Sequence, residues 1–331
     1  METPNNMLLS YWWRLACLAL VSIGVIQILL DALLWLVSPV IARFLEAAVI
    51  RAKERTFFTA QIATHLLACL LTFFFLVPQY MRRETNLEKE RVGILCILIA
   101  AAVFARYAHA ALRALTISAQ TMRWRGRLGN PLFLPAAEVP VFCVPAHPPL
   151  ALVGLLSPHI VISKALLKEK SLPPAALDVA IAHENSHARN RDNLKLLLLS
   201  CLPHLGLKTA CRPSVLRQWQ SLAELAADYD AVGESPVRAI LLAETLLAVA
   251  RTTSQNPQGI FSAALLPHEE DLQNRINHLL RPAPLTFTQD RPAERLIMMS
   301  GAVFVLATAV ALFAYVVSLW HLFAECLLHL G

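Results

Sequence analysis

The sequence has few charged residues and no C-x-x-C motif. Only 16% of its 331 residues are charged, whereas 56% are hydrophobic, and the mean hydropathy is +0.53. A chain of this composition is too apolar for a typical soluble globular protein. Its seven cysteines are scattered along the chain, which argues against a disulfide framework and against a cysteine metal site. The scarcity of charge favours a membrane protein.

Four segments of the chain are apolar for long enough to cross a bilayer, which takes about 20 residues. A cleaved signal peptide is not expected, because the apolar run near the N-terminus is too long. We therefore predict a predominantly α-helical, polytopic membrane protein. It divides into a membrane domain at 1–116, a further domain at 117–294 and a C-terminal span with a short tail at 295–331. The predicted spans cover roughly residues 15–37, 57–77, 92–116 and 296–320.

Polar side chains interrupt the first three predicted spans. Such groups at membrane depth usually face other helices or water and are candidates for function, although a long arginine can also reach the membrane surface. A transporter that uses them as a polar path is one hypothesis, but four spans are few for a carrier. The residues are Asp31, His65, Arg106, His109 and Arg113.

Lysines and arginines in the connections predict the orientation of the spans. The first and second connections carry four each, and the segment after the third span adds Arg123, Arg125 and Arg127. The first and third connections lie on the same side of the membrane. Their combined number of lysines and arginines therefore favours a cytoplasmic position for both. The net charge of +6 lies mostly around the spans. Topology and anionic lipid explain it, so we expect the lipid bilayer as a partner and no direct nucleic-acid binding.

The domain at 117–294 shows strand signals and then helix signals. Two runs rich in β-branched residues predict short strands at 139–144 and 159–163. The apolar stretch after Asp192 is too short to span a membrane, so a buried core helix and a segment half-sunk in the bilayer both remain open. The other predicted helices begin near Pro174, cover residues 213–232, restart at Pro236 and end with an amphipathic helix at 269–280.

The stretch "AIAHENSHARNRDN" holds the strongest chemical signal in the chain. On a helix, His183 and His187 are four residues apart and share one face, so both imidazoles can point at one ion. Glu184 falls one residue further round, where it can reach a water molecule at the metal. The spacing suits a hydrolytic zinc site. Two histidines alone, however, leave zinc short of the three protein ligands that such a site normally has.

A second predicted helix offers the missing ligand in "SLAELAADYDAVG". Glu224 and Asp228 are four residues apart on one face, and the alanines between them allow close helix contact. Glu224 can be the third ligand, and Asp228 can accept the outer N–H of a ligand histidine and so orient it. By itself the stretch would suit a solvated acidic face, and Glu244 is a spare carboxylate that could replace Glu224.

Together these motifs resemble the integral-membrane gluzincins of peptidase family M56, which include the β-lactam sensor and antirepressor proteins. The resemblance covers nearly the whole chain and is carried by "AIAHENSHARNRDNLKLLLL", by "AELAADYDAV" and by the preceding "PPLALVGLLSPHIVISKALL". It implies a zincin-like α+β catalytic domain between the third and fourth spans. It also implies one zinc ion per chain, bound by His183, His187 and Glu224, with Glu184 as the general base.

The same resemblance implies a regulatory function. We expect a protein of the bacterial inner membrane whose catalytic domain is cytoplasmic and cleaves a protein substrate, such as a transcriptional repressor. The sensor proteins of the family carry a large extracellular penicillin-binding domain after their fourth span, whereas this sequence stops about eleven residues after Trp320. A separate sensor protein is therefore expected to supply the signal.

Two further interpretations stay open. The E-L-A-A-D stretch, and the Asn-Arg-Asp that follows the histidine motif, are also similar to family M48, the CAAX prenyl proteases and HtpX-like proteases, which would indicate protein quality control. A signalling or scaffolding membrane protein with a structural zinc site is the non-catalytic alternative. The presence of Glu184, and no evident fourth protein ligand, favour an open catalytic site over that alternative.

Several residues near the motifs have weaker predicted roles. Asp192 and Asn193 are predicted mainly to cap the helix that follows. Asp192 is also a candidate to orient His187. Tyr229 and His204 are candidates for a donor to the oxyanion of the reaction, although a structural role is more common for such residues.

Overall fold

The structure is a computed structural model that describes residues 4–45, 49–83, 92–145, 148–168, 173–202, 212–254 and 269–280. Over these residues the chain is mostly helical, with one small sheet. The N-terminal part consists of α1 (Pro4–Phe44), α2 (Ile50–Leu71), α3 (Val77–Arg83) and α4 (Ile94–Arg125). The rest consists of β1 (Val141–Val144), β2 (Leu150–Val153), β3 (His159–Ser163), α5 (Lys164–Lys168), α6 (Pro174–Asn190), α7 (Asp192–Cys201), α8 (Arg212–Val232), α9 (Pro236–Ser254) and α10 (Glu269–Leu280).

Three helical segments are long and apolar enough to cross a membrane, namely Tyr11–Ile41, Ile50–Arg82 and Ile94–Arg125. They include most of the first three segments predicted as spans, although each continues further at its C-terminal end. Each helix continues beyond its apolar run because the basic residues that follow interact favourably with the C-terminal end of a helix. The second segment passes from α2 through a π-helical turn at Thr72–Leu76 into α3. The fourth predicted span, at 296–320, lies outside the described residues.

Two of the polar residues that interrupt the spans are buried between helices. Asp31 and His65 both lie in the interior of the bundle, and His65 Nε2 is 2.6 Å from Gln27 Nε2. Buried polar groups at this depth need such partners, because lipid offers none. On α4, by contrast, Arg106 and His109 are exposed. The interrupting residues therefore do not share one buried polar path.

The sheet has three strands in the order β1-β3-β2. β1 pairs with β3 in parallel, and β2 pairs with β3 antiparallel, with Leu152 opposite Ile160. β1 and β3 confirm the two predicted strands, although β1 begins at Val141 rather than at residue 139. The sequence does not predict β2, because four residues between a proline pair and a glycine make too short a pattern. β2 lies at one edge of the sheet, next to α6.

α6 carries the H-E-x-x-H motif and packs against β2, α8 and α9. It begins at Pro174 after the extended Pro173, as the proline pair predicts. It ends before Arg191, whose φ of 53° is left-handed. Its buried side includes Val179 and Ile181, and burial of each such side chain stabilises the fold by about 1.5–3 kcal/mol. This burial fixes the rotation of α6 and hence the direction of its histidines.

α7 follows α6 after a single residue and packs against α2, α4 and α8. Leu199 is buried whereas Leu198 is 43% exposed, so one side of α7 packs on these helices. The prediction that Asp192 and Asn193 mainly cap this helix is wrong, because no side chain caps its start. The Asp192 side chain contacts His187 instead, and that of Asn193 contacts β2.

α8, α9 and α10 agree with the helices predicted for this part of the chain, and Gly233, with a φ of 59°, follows α8 as a C-terminal glycine should. Ala226, Ala227 and Ala231 on α8 are buried. These small side chains let α8 approach α6 closely. The contact between the two helices brings the carboxylates of α8 to the histidines of α6.

Candidate metal centre

His183 and His187 lie on one face of α6 with their Nε2 atoms 3.1 Å apart. Their side chains are only 9% and 11% exposed. Both Nδ1 atoms lie beside carboxylates: His187 Nδ1 forms a hydrogen bond with Asp192 Oδ2 at 2.8 Å, and His183 Nδ1 lies 2.9 Å from Asp228 Oδ1. A carboxylate on Nδ1 keeps the proton there, so each Nε2 presents a lone pair. Two lone pairs this close repel each other unless a proton or a metal cation lies between them.

Glu224 brings a third donor to the same point from α8. Its Oε2 lies 3.4 Å from His183 Nε2, and its Oε1 lies 3.6 Å from His187 Nε2. Tetrahedral zinc with bonds of about 2.0–2.2 Å places two ligand atoms roughly 3.3–3.6 Å apart. The two His–Glu distances lie in this range and the His–His distance of 3.1 Å lies just below it, so the donor set fits one zinc ion after a small movement of the imidazoles. Among the described residues, this trio is the group of His, Cys, Asp or Glu side chains placed to hold a metal.

Arg275, on α10, holds two carboxylates of the centre in place. Its guanidinium donates two parallel bonds to Asp228, at 2.8 and 2.7 Å, and its Nη1 lies 2.8 Å from Glu224 Oε2. The sequence motifs do not include this residue, although its position in the helix distinguishes it. Arg275 is three residues after Leu272 and four before Leu279, so it falls on the apolar side of an amphipathic helix. An arginine in that position needs a buried anionic partner.

The Glu184 side chain is anchored on the free edge of β2. Its Oε2 accepts a hydrogen bond from Leu152 N at 2.7 Å. Asn193 Nδ2 donates to Leu152 O at 3.0 Å and to Gly154 O at 3.2 Å. The outward backbone groups of this edge strand are thus bonded to side chains of α6 and α7. This arrangement anchors the Glu184 carboxylate on the edge strand that packs against α6.

The two residues inside the motif, Asn185 and Ser186, are buried and anchor α6 on its other sides. Asn185 Nδ2 donates to Ala136 O at 2.8 Å, and its Oδ1 accepts from Glu138 N at 3.1 Å. Ser186 Oγ donates to Asp230 Oδ2 at 2.6 Å. These bonds further restrain the rotation of α6, on which the convergence of the two imidazoles depends.

The carboxylates around the histidines favour positive charge. Burial alone would lower the pKa of His183, but hydrogen bonds with Asp228 and Glu224 outweigh it and raise this pKa to about 10. Burial would raise the pKa of Glu224 and of Asp228, but the charge of Arg275 and contact with the histidines hold both pKa values well below their ordinary range. The pocket therefore suits a cation at the imidazoles.

Three other residues are sequence-predicted candidates for the site. Glu244 is exposed on α9 and does not belong to the metal-holding group. His204 lies outside the described residues. Tyr229 is partly buried on α8, and its role as an oxyanion donor stays a prediction.

Residues of α2 also reach this region, which the sequence does not predict. Arg51 Nη2 donates to Ser186 Oγ at 2.8 Å and to Asp230 Oδ2 at 2.6 Å. Arg51 and Ser186 are 135 residues apart in the chain, so no local pattern relates them. The contact places the start of α2 against the domain that carries the histidines, as expected if the first and third connections share one side.

No protein-family model matches this chain, and no curated protein matches it. The resemblance to family M56 stays a prediction from the three sequence stretches quoted for it. The evidence for the candidate metal centre is the set of distances between its own side chains.

Proposed function

We propose that this chain is an integral-membrane zinc metallopeptidase that hydrolyses a peptide bond of a protein substrate. The observation that carries the proposal is the convergence of His183, His187 and Glu224, whose facing donor atoms lie 3.1, 3.4 and 3.6 Å apart, close to the ligand spacing of tetrahedral zinc, with Glu184 on the same helix. Among the described residues, three protein ligands converge, which leaves one position for a reactant as in catalytic zinc sites, whereas structural zinc has four protein ligands. This count favours an enzyme over a scaffold with a structural metal.

Glu184 is the residue proposed to move the proton. Zinc held by this trio would supply a Lewis acid that polarises the scissile carbonyl. The Glu184 carboxylate accepts a proton from the attacking water and then passes it to the nitrogen of the departing amine. Its bond from Leu152 N engages Oε2, so Oε1 is the oxygen assigned to this transfer. The carboxylates of Asp228 and Asp192 are instead committed to the histidines.

The surrounding charges prepare the ligands. Asp228 and Asp192 hold the protons on Nδ1 of their histidines, so that Nε2 is the metal-binding atom. Arg275 offsets the charges of Asp228 and Glu224. Without that cation, the two carboxylates would repel each other, and the free energy lost when they leave water would not be offset by an interaction with a positive charge.

The substrate and setting follow from the resemblance to family M56. The proposed substrate is a cytoplasmic protein such as a transcriptional repressor, which is cleaved when a separate sensor protein signals. The activity would then be regulatory proteolysis at a bacterial inner membrane. The M48-type alternative, membrane protein quality control, would use the same centre on different substrates. The three membrane-spanning segments support a membrane setting for either one.

Zinc content and peptide hydrolysis of the detergent-purified full-length chain test the proposal. We expect about one zinc per chain in the wild type and in Glu184→Gln, and little in Glu224→Ala or His187→Ala. A fluorogenic peptide library serves as the probe, and only the wild type among these should cleave it. Glu244→Gln is the matched control, because this exposed carboxylate should affect neither zinc content nor cleavage.

Each outcome has a separate meaning. A wild-type protein that binds no zinc would exclude the metal centre. Full zinc content in Glu224→Ala would exclude Glu224 as a ligand. Undiminished hydrolysis by Glu184→Gln would exclude Glu184 as the proton carrier, whatever the zinc content.

A further inference from the structure

Glu54, near the start of α2, is a carboxylate with no exposed surface. A buried charge of this kind is tolerated only when it is paired. Its Oε1 accepts hydrogen bonds from Lys195 Nζ on α7, at 3.0 Å, and from Trp219 Nε1 on α8, at 2.8 Å. Glu54 thus joins a membrane-spanning helix to two helices that flank the metal centre.

Lys195 connects Glu54 to a proposed metal ligand. Its Nζ also donates to Asp192 Oδ1 at 3.2 Å, and Asp192 Oδ2 lies 2.8 Å from His187 Nδ1. The two oxygens of Asp192 are therefore divided between the lysine and the histidine. A continuous path of short, charge-assisted contacts runs from α2 to His187.

Arg51 strengthens the same connection from α2. Its Nη1 lies 3.8 Å from Glu54 Oε2 and 3.9 Å from Asp192 Oδ2. Arg51 and Lys195 are both largely buried, with side chains 13% and 17% exposed. Both cations that face Asp192 are thus connected to α2: Arg51 is a residue of this helix, and Lys195 is bound to Glu54 of the same helix.

We propose that Glu54 is a positioning residue of the metal centre: through Lys195 it holds Asp192 in the orientation that His187 needs to bind the metal. This inference rests on the proposed function, because it requires a metal on His187. It makes metal affinity depend on how α2 is seated against α7 and α8. A shift of this membrane helix would weaken the centre without altering any ligand, which gives the membrane domain a direct means of regulating the site.

A purely structural role for Glu54 makes a different prediction. Loss of the carboxylate would then lower thermal stability and leave metal affinity unchanged. Trp219→Phe separates the two roles, because it removes one bond to Glu54 and leaves the Glu54–Lys195 contact. It is expected to lower the melting temperature while zinc affinity stays within about twofold of the wild type.

Zinc affinity of the full-length chain, measured in detergent by competition with a chelator, tests the proposal. Glu54→Gln and Lys195→Met should each raise the zinc dissociation constant about tenfold, the lower end of the effect of residues behind a metal ligand. The double variant should bind no more weakly than either single variant, because both act through one path. Lys195→Arg keeps the charge and should bind zinc like the wild type. Glu138→Gln, in an exposed pair with Arg189, is the control.

The results distinguish this inference from the proposed function. If the wild type binds zinc and both Glu54→Gln and Lys195→Met bind it within about twofold of the wild type, the inference is overturned and the proposed function stands. Additive losses in the double variant would also overturn it, because they would mean independent effects. A wild type that binds no zinc overturns both. If Glu54→Gln does not fold, Lys195→Met makes the same test from α7.

Discussion

Arg275 and Asp228 form a buried two-pronged ion pair beside the proposed metal ligands. Nε lies 2.8 Å from Oδ2 and Nη2 lies 2.7 Å from Oδ1, and the side chains are only 7% and 2% exposed. Because Nη1 of the same guanidinium reaches Glu224, one cation from α10 serves two carboxylates of α8. α10 is therefore part of the centre, although it carries none of the proposed ligands.

Arg275→Met is expected to destabilise the protein by about 3–5 kcal/mol, because it removes the guanidinium that is paired with both Asp228 and Glu224 and leaves the two carboxylates with too little positive charge beside them. Thermal or denaturant unfolding of the detergent-solubilised, metal-free chain measures the change. Arg217→Met is the control, since Arg217 is exposed on α8 and should change stability by less than about 0.5 kcal/mol. Equal losses in the two variants would contradict a specific role for Arg275.

Asp192→Asn is expected to weaken zinc binding about 10–100-fold while the fold is retained. The amide has the shape of the carboxylate but lacks the charge that holds the proton on His187 Nδ1 and the cation of Lys195. Chelator competition measures the affinity. Asp178→Asn, at an exposed position of the same region, should bind zinc as the wild type does, and the assignment fails if both variants behave alike.

The metal-free protein is expected to lose stability as the pH rises from about 6.5 towards 10. The folded pKa of His183 is about 10, above its value of about 6.5 in an unfolded chain. The protonated imidazole therefore contributes stability that is complete below about pH 6.5 and is lost through pH 10. Conversely, the lowered pKa values of Asp192, Asp228 and Glu224 give stability that is present above about pH 4.5 and is lost on acidification.

Melting temperatures measured across this range with excess chelator test that profile, which should have its maximum between about pH 4.5 and 6.5. His183→Gln removes the titrating imidazole and should flatten the alkaline decline. A wild-type profile that is already flat from pH 6.5 to 10 would contradict the raised pKa of His183.

Gly154→Ala is expected to destabilise the protein by roughly 1–3 kcal/mol. The residue has a φ of +100°, which L residues rarely adopt, and an added Cβ would lie 2.5 Å from Ser157 O. Gly129→Ala is the matched control, since a Cβ there meets nothing within 4 Å. Thermal unfolding compares the two variants, and equal melting temperatures would show that the turn after β2 adapts freely.

Local sequence patterns predict most of the helices and the motif that they carry. The helix starts at Pro174 and Pro236 follow from proline chemistry, and the end of α8 follows from Gly233. Local patterns do not predict an element that is very short, such as β2. They also do not predict which of several possible partners a side chain binds. Asp192 suits a helix cap by position, yet a nearby imidazole and a lysine offer its carboxylate stronger partners.

The sequence by itself determined that the chain forms helices long and apolar enough to span a membrane and that His183 and His187 share a helix face, because apolar run length and helical period are local properties. Only the tertiary structure decided which distant charges meet at that face. Asp228 and Arg275 are 47 residues apart, and Glu54 and Lys195 are 141 apart. Such pairs form because packing buries them side by side, and a buried charge then requires the opposite charge beside it.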